Sequence, residues 1–345
     1  MRCGVGTEQG AVSMLDELPP LAHVDAESLD EAVHWLAEYG DRAQILAGGT
    51  DLLGLMKDGI DGPKMPRPDV LVNIKTIAAL GGIETRPGGS LGVGATVLLA
   101  DLESHPVVRE RFPVLAQAAG SVATTQIRAM GTVGGNLCQR PWCWYFRHPQ
   151  FECFKRGGRQ CFAIPGNSRT YFSILGLGIC VMSHPSDLAP ALMALGARVE
   201  IAGPAGTRGV PIDAFFRGPR DVNETVLGPA ELVTRVDVPP PAPGAQSAFL
   251  KHRIRGSWDF ALGEVAVSLV PGSDDVRIAL GGVAPFPFRA TAAEDVLRGQ
   301  PLTPETIARA VDAAVAKARP LPMNGYKVDL TRALMRRALT AVATP

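Results

Sequence analysis

An excess of charge of either sign is absent from this chain: Lys plus Arg number 34 and Asp plus Glu number 34 among 345 residues. A nucleic-acid binder carries a basic excess or a basic stripe, and neither is present. Long apolar runs are also lacking, since the longest, residues 171–182, is too short and too rich in glycine to cross a bilayer. The first residues hold no apolar signal core with a cleavage site and no twin arginine, so cytoplasmic residence is the expectation. Residues 1–20 read as a loose leader, with Met14 an alternative start that would leave Cys3 without a structural role. Internal repeats and low-complexity tracts are missing. Cysteine is scarce, six residues in all, which excludes a small disulfide scaffold.

What is there is unevenly placed. Cys138, Cys143, Cys153, Cys161 and Cys180 fall in one segment and only Cys3 lies outside it, a clustering that points to metal or redox chemistry. At about 100–200 residues per domain the length favours two domains, and 46% hydrophobic residues supply their cores. Leu29, Ala32, Val33, Leu36 and Ala37 form a helical stripe capped by Ser28. Short strands are expected at 44–47, 70–74, 91–93 and 197–201, with helices through 56–57, at 97–103 and at 186–195. The run Pro239-Pro240-Pro241-Ala242-Pro243-Gly244 is the linker, followed by strands at 261–269 and 276–280 and helices at 292–297, 304–317 and 326–342. Irregular mixing of strands and helices predicts an α+β fold, with a second small α+β domain whose helices cover one face of its sheet.

Two glycine turns stand out. Gly48-Gly49-Thr50-Asp51 follows a strand and opens a helix, and Gly134-Gly135-Asn136 precedes the cysteine segment. Glycine lets backbone approach a ligand closely, and free amides at such a turn attract anions. Neither turn fits G-x-G-x-x-G or the Walker pattern. Spacing alone leaves a nucleotide site and an ordinary turn equally open. The cysteine intervals lack the tight C-x2-4-C pairs of zinc sites, but four thiolates on a glycine-bearing loop can converge on a cubane cluster, with Trp142, Trp144, Tyr145 and Phe146 shielding the sulfurs. Clustered free cysteines are the competing reading. His148 and His184 are expected to pack or hydrogen-bond rather than to ligate metal.

The stretches 47–53, 94–96, 131–137 and 184–187 (Ala47 to Leu53, Gly94-Ala95-Thr96, Gly131 to Leu137, His184-Pro185-Ser186-Asp187) together resemble the FAD-binding (medium) subunit of the xanthine dehydrogenase family of molybdenum hydroxylases. Lys251 and Arg253, Trp258-Asp259-Phe260-Ala261, and Gly281-Gly282-Val283-Ala284-Pro285 with Arg289-Ala290 resemble its companion domain, so the likeness spans roughly residues 21–339. It implies a vanillyl-alcohol-oxidase (PCMH)-type FAD-binding domain of two subdomains over 21–237, and a C-terminal α+β domain of the CO-dehydrogenase flavoprotein type over 245–345. FAD would be held by Ala47, Gly48, Gly49, Thr50, Asp51, Leu52, Ala95, Thr96, Thr132, Gly134, Gly135, Asn136, Asp187 and Lys251. A lysine beside the ring's N1–C2 edge favours the reduced anion.

The loop at about 138–182 is similar to the branch that carries an extra 4Fe–4S cluster, and Gln139-Arg140-Pro141-Trp142-Cys143 resembles its aromatic-aldehyde-oxidising type. That likeness makes Cys143, Cys153, Cys161 and Cys180 the cluster ligands and Cys138 a spare buried thiol, with the cluster leaning toward a structural or tuning role. No catalytic residue is assigned. Implied partners are a small subunit with two 2Fe–2S clusters, a large molybdopterin subunit and a terminal electron acceptor, with periplasmic residence by co-export on a partner's signal as the second localisation. Two rival readings stay open: a free-standing FAD oxidoreductase of the same fold, and an assembly scaffold with zinc at the cysteines.

Overall fold

The structure, a computed structural model, describes residue 18 and residues 20–343. Cys3, Met14 and most of the expected leader lie outside the described residues. The chain builds three sheets. In the first, β1 (Ala22–Asp25), β2 (Ala43–Leu46) and β3 (Val70–Asn73) run parallel in the order β1-β3-β2. The helix Leu29–Tyr39 crosses between β1 and β2. Ser28 caps it by accepting from the Glu31 amide, and Ala32 and Leu36 are buried against β3.

The second sheet is antiparallel, with β4 (Ile83–Thr85), β5 (Leu91–Gly94), β6 (Arg198–Gly203), β7 (Gly206–Pro211) and β8 (Leu232–Val238) in the order β4-β5-β8-β6-β7. Its buried face meets the helices Leu99–Ser104, Pro113–Ser121 and Leu188–Ala194 in the largest core. The residue-by-residue placement puts β8 at the centre of this sheet although it comes last in sequence.

The third sheet contains β9 (Gln246–His252), β10 (Gly263–Leu269), β11 (Val276–Gly281) and β12 (Phe288–Arg289), ordered β12-β11-β10-β9. Alternation along β10 sends Val265, Val267 and Leu269 toward the helices Thr291–Leu297, Pro304–Val315 and Tyr326–Ala343. It sends Ala266, with Ala279 and Phe249, into the first part's large core. The expected single covered face is therefore corrected: helices of both halves sandwich this sheet. Small alanines on the second face let the helices Pro113–Ser121 and Leu188–Ala194 approach closely, and each buried Val or Leu on the first contributes about 1.5–3 kcal/mol. No described helix is long and apolar enough to cross a membrane.

Candidate flavin-binding site

A cavity of about 500 Å³ runs between the first two sheets and reaches the third. Both glycine turns line it, and the first touches Met130 and Gly131, which lead into the second. A Cβ on Gly48 would sit 2.2 Å from the Met130 carbonyl oxygen and 3.0 Å from Gly131 Cα, so only glycine permits the approach. Gly49 has φ of 69°, the left-handed region. Among the described residues the amides of Gly48, Gly49, Thr50 and Asp51 donate to no protein acceptor. They form an open nest of donors at the cavity wall.

The second turn is already satisfied. Gly134 N–H donates to the Ala95 carbonyl at 2.8 Å, and Gly135 N–H to Thr132 Oγ1 at 3.1 Å. Asn136 Oδ1 accepts from Ser186 Oγ at 2.6 Å, tying this turn to the segment that carries Asp187. One turn is thus free to bind an anion, while the other is a fixed wall.

At the third sheet, Lys251 Nζ donates to Asp187 Oδ2 at 2.6 Å and to the Ser121 carbonyl at 3.2 Å, and both charged side chains are only 4% exposed. Trp258, on the rim, has φ of 71°, and its N–H donates to the carbonyl of Ala123, whose φ is 40°. Both line the cavity. A bulky residue held in that region is strained by about 1–2 kcal/mol.

The cysteines separate into two environments. Cys143, Cys153 and Cys180 are buried in one apolar cluster with Phe146, Phe172 and Met182, and Cys161 packs against it. Cys180 donates to Cys161, which holds the Cys161 thiol down at about 6 and Cys180 well above its ordinary value. Burial pushes the Cys143 thiol up to about 12. Cys138 instead packs against the large core, half-buried at the cavity wall rather than fully buried. Among the described residues, no three His, Cys, Asp or Glu side chains stand close enough to hold a single metal ion.

Lys155 acts electrostatically on Cys153 and Cys180. Lys155 and Arg140 bind the buried Glu224 carboxylate at 3.1 and 3.0 Å. Buried Arg156 donates to the carbonyls of Asp61, His148 and Phe151, keeps an unpartnered Nε, and acts electrostatically on Cys153. An orphaned guanidinium N–H beside a thiol fits an anionic occupant there. Arg147 links this segment to the first glycine turn, donating to Asp51 Oδ1 at 2.5 Å while lying 4.4 Å from the Trp142 ring.

Of the predicted flavin residues, all but Thr96 line the cavity. Thr96 serves the fold, its amide donating to the Leu80 carbonyl. Asp51 lines the wall but turns its carboxylate onto Arg147 and the Arg140 amide, so an anion at the nest meets backbone rather than carboxylate. The aromatic shield is corrected in part: Phe146 and Tyr145 pack at the thiols, whereas Trp142 lines the cavity against Phe260 and Trp144 is 58% exposed. Residues 144–147 form a turn closed by the Arg147 amide on the Cys143 carbonyl at 2.9 Å, which brings Phe146 to the Cys143 side and leaves Trp144 outside. His184 is buried edge-on to Phe216, and burial pushes it down to about 3. Sequence reasoning missed Glu224, Arg156 and Glu264, isolated charged residues that carry no motif signal, and read Trp258 only as part of a family-like stretch without a site role.

Fold and cavity agree with what the sequence resemblance implies, a flavin-binding subunit of the molybdenum-dependent dehydrogenases. The chain belongs to that family: residues 19–241 match the FAD binding domain in molybdopterin dehydrogenase, and residues 248–342 match the CO dehydrogenase flavoprotein C-terminal domain. It is 37% identical over 303 residues to the aldehyde oxidoreductase FAD-binding subunit PaoB of Escherichia coli, covering 86% of this chain and 90% of that one. It is 31% identical to the carbon monoxide dehydrogenase medium chain of Hydrogenophaga pseudoflava, covering 94% and 98%. A solved carbon monoxide dehydrogenase from Hydrogenophaga pseudoflava, lacking the Mo-pyranopterin moiety, superposes with a TM-score of 0.73 at 30% identity, covering 95% and 98%. The chain is accordingly an FAD-binding oxidoreductase subunit of the medium-chain class.

Proposed function

We propose that this chain is the FAD subunit of an aldehyde-oxidising molybdenum hydroxylase, with residues 21–237 as its flavin-binding part and 245–345 as its companion domain. The nest at 48–51 holds the pyrophosphate, the second turn walls the dinucleotide, and Lys251 meets the isoalloxazine. Bound FAD supplies a centre that exchanges electrons singly or in pairs. The residues here bind it, orient it and exclude water, while Lys251 places positive charge where reduction adds negative charge. A large molybdopterin partner oxidises the substrate, and a small 2Fe–2S partner connects it electronically to this chain and thence to the terminal acceptor. Support for the aldehyde class is the 37% identity to a subunit of that name.

The single observation carrying the reading is a glycine turn with its amides free, packed on the segment that leads into a second glycine turn, in a cavity that reaches a buried lysine. Four further residues, Cys143, Cys153, Cys161 and Cys180, are proposed to hold a 4Fe–4S cluster. Their gathering about one apolar cluster supports a shared ligand set. The orphaned Arg156 Nε supports an anionic occupant. The test is a visible spectrum with flavin, iron and sulfide analysis of the purified complex. Flavin bands plus a dithionite-bleached iron–sulfur shoulder are expected. An active monomer without molybdenum overturns the subunit reading, and zinc without iron overturns the cluster.

A further inference from the structure

Glu264 faces Lys251 directly across the β9–β10 ladder and is 1% exposed. Its carboxyl is within hydrogen-bonding reach of Asp187. Asp187 Oδ2 is taken by Lys251, but Asp187 Oδ1 and Glu264 Oε2 are both buried without a donor. From the neighbouring β11, Gly281 lies so near that a Cβ there would meet Glu264 Oε1 at 1.8 Å, so the carboxyl occupies space that only a glycine leaves for it. Lys251 and Asp187 are the charged groups acting on Glu264. The next charge, Arg253, is engaged by the Ser121 carbonyl at 2.8 Å.

Two buried carboxylates against one ammonium leave a net negative charge in a low-dielectric site, which is strongly unfavourable. One proton between the two orphan oxygens satisfies both through a single charge-assisted hydrogen bond and brings the group to neutrality. We propose that Asp187 and Glu264 share one proton, forming with Lys251 a neutral triad in which Glu264 is the positioning residue for the Lys251 ammonium at the cavity wall. Burial and the neighbouring Asp187 hold the Glu264 carboxyl well above the usual carboxylate range, as this arrangement requires. The consequence for the flavin rests on the proposed function; the shared proton itself does not. A neutral triad admits an anionic ligand, whereas loss of the proton sets a negative charge against it.

Infrared spectra of the full chain test the proton directly. At pH 8 the wild type minus Glu264→Gln difference spectrum is expected to contain the C=O stretch of a protonated carboxyl. Asp187→Asn should remove that band too, because Glu264 then ionises to pair with Lys251. Absence of the band from the wild type, or its persistence unchanged in both variants, overturns the proposal. FAD titration supplies a second readout: as rising pH removes the infrared band, wild-type affinity should fall about tenfold, one pK unit's worth of interaction, while Glu264→Gln stays flat over the same range. Equal slopes in the two proteins overturn the positioning role. A chain that binds no FAD yet shows the band retains the shared proton and defeats only the flavin reading.

Discussion

Substituting Gly48 with alanine tests the contact on which the cavity depends. The added Cβ would lie 2.2 Å from the Met130 carbonyl oxygen and 2.9 Å from its carbon, both backbone atoms that no rotamer change can move. The two turns must therefore part. Overpacking of this kind costs about 1–3 kcal/mol, and separating the walls removes ligand contacts on both sides. If that cost falls on the bound conformation, FAD affinity drops by roughly 5- to 150-fold at 1.4 kcal/mol per factor of ten. Gly54→Ala is the control. It lies in the helix Leu52–Lys57, has nothing within 4 Å of a new Cβ, and should stabilise the chain by about 0.5–1 kcal/mol through helix propensity. Fluorescence titration of the flavin-free protein, with urea unfolding of each variant, reads both effects. Gly48→Ala binding FAD within twofold of Gly54→Ala would refute the reasoning.

Five further substitutions probe the cysteine cluster, the first glycine turn and the C-terminal core. Cys161→Ser and Cys180→Ser should lose most protein-bound iron while Cys138→Ser retains it, because Cys138 packs against a different core; equal iron in all three sinks the ligand assignment. Arg147→Ala removes the ion pair to Asp51 and the stack on Trp142, worth about 1–3 kcal/mol, and should weaken FAD binding by freeing a carboxylate beside the nest; unchanged affinity by titration would contradict this. Lys327 is fully buried, donating to the carbonyls of Thr170, Phe172 and Gly282, and burial pushes it down to about 7 from 10.5. Between those values the unfolded chain binds more protons, so stability relative to Lys327→Met should rise with pH above 7 by up to about 1.4 kcal/mol per unit. Urea unfolding at pH 7, 8 and 9 checks it, and a flat or falling difference is the contrary result.

Local signals placed β2, β3, β5, β6, β10 and β11, half of the twelve described strands. Ser28 predicts its helix because capping is decided within four residues, and the alternation at 265–269 predicts a strand because the pleat has period two. β8 and β9, on either side of the proline linker, were not read, since β8 is buried at the centre of its sheet and β9 gains its register only from β10. The paired glycine turns were legible as turns. That one keeps its amides free and the other spends them on Ala95 and Thr132 is a matter of neighbours more than thirty residues away in one case and three in the other.

The sequence by itself determined the menu: two glycine turns, a run of thiols, amphipathic helices and a lysine near a family-like motif. Tertiary structure decided their use. It set Cys138 apart from the other thiols, turned Asp51 onto Arg147, covered the C-terminal sheet on both faces and put Glu264 behind Lys251. The physical reason is range. Capping, strand period and turn geometry are settled among adjacent residues, whereas burial, ion pairing and shared protons depend on groups that meet only when distant segments pack.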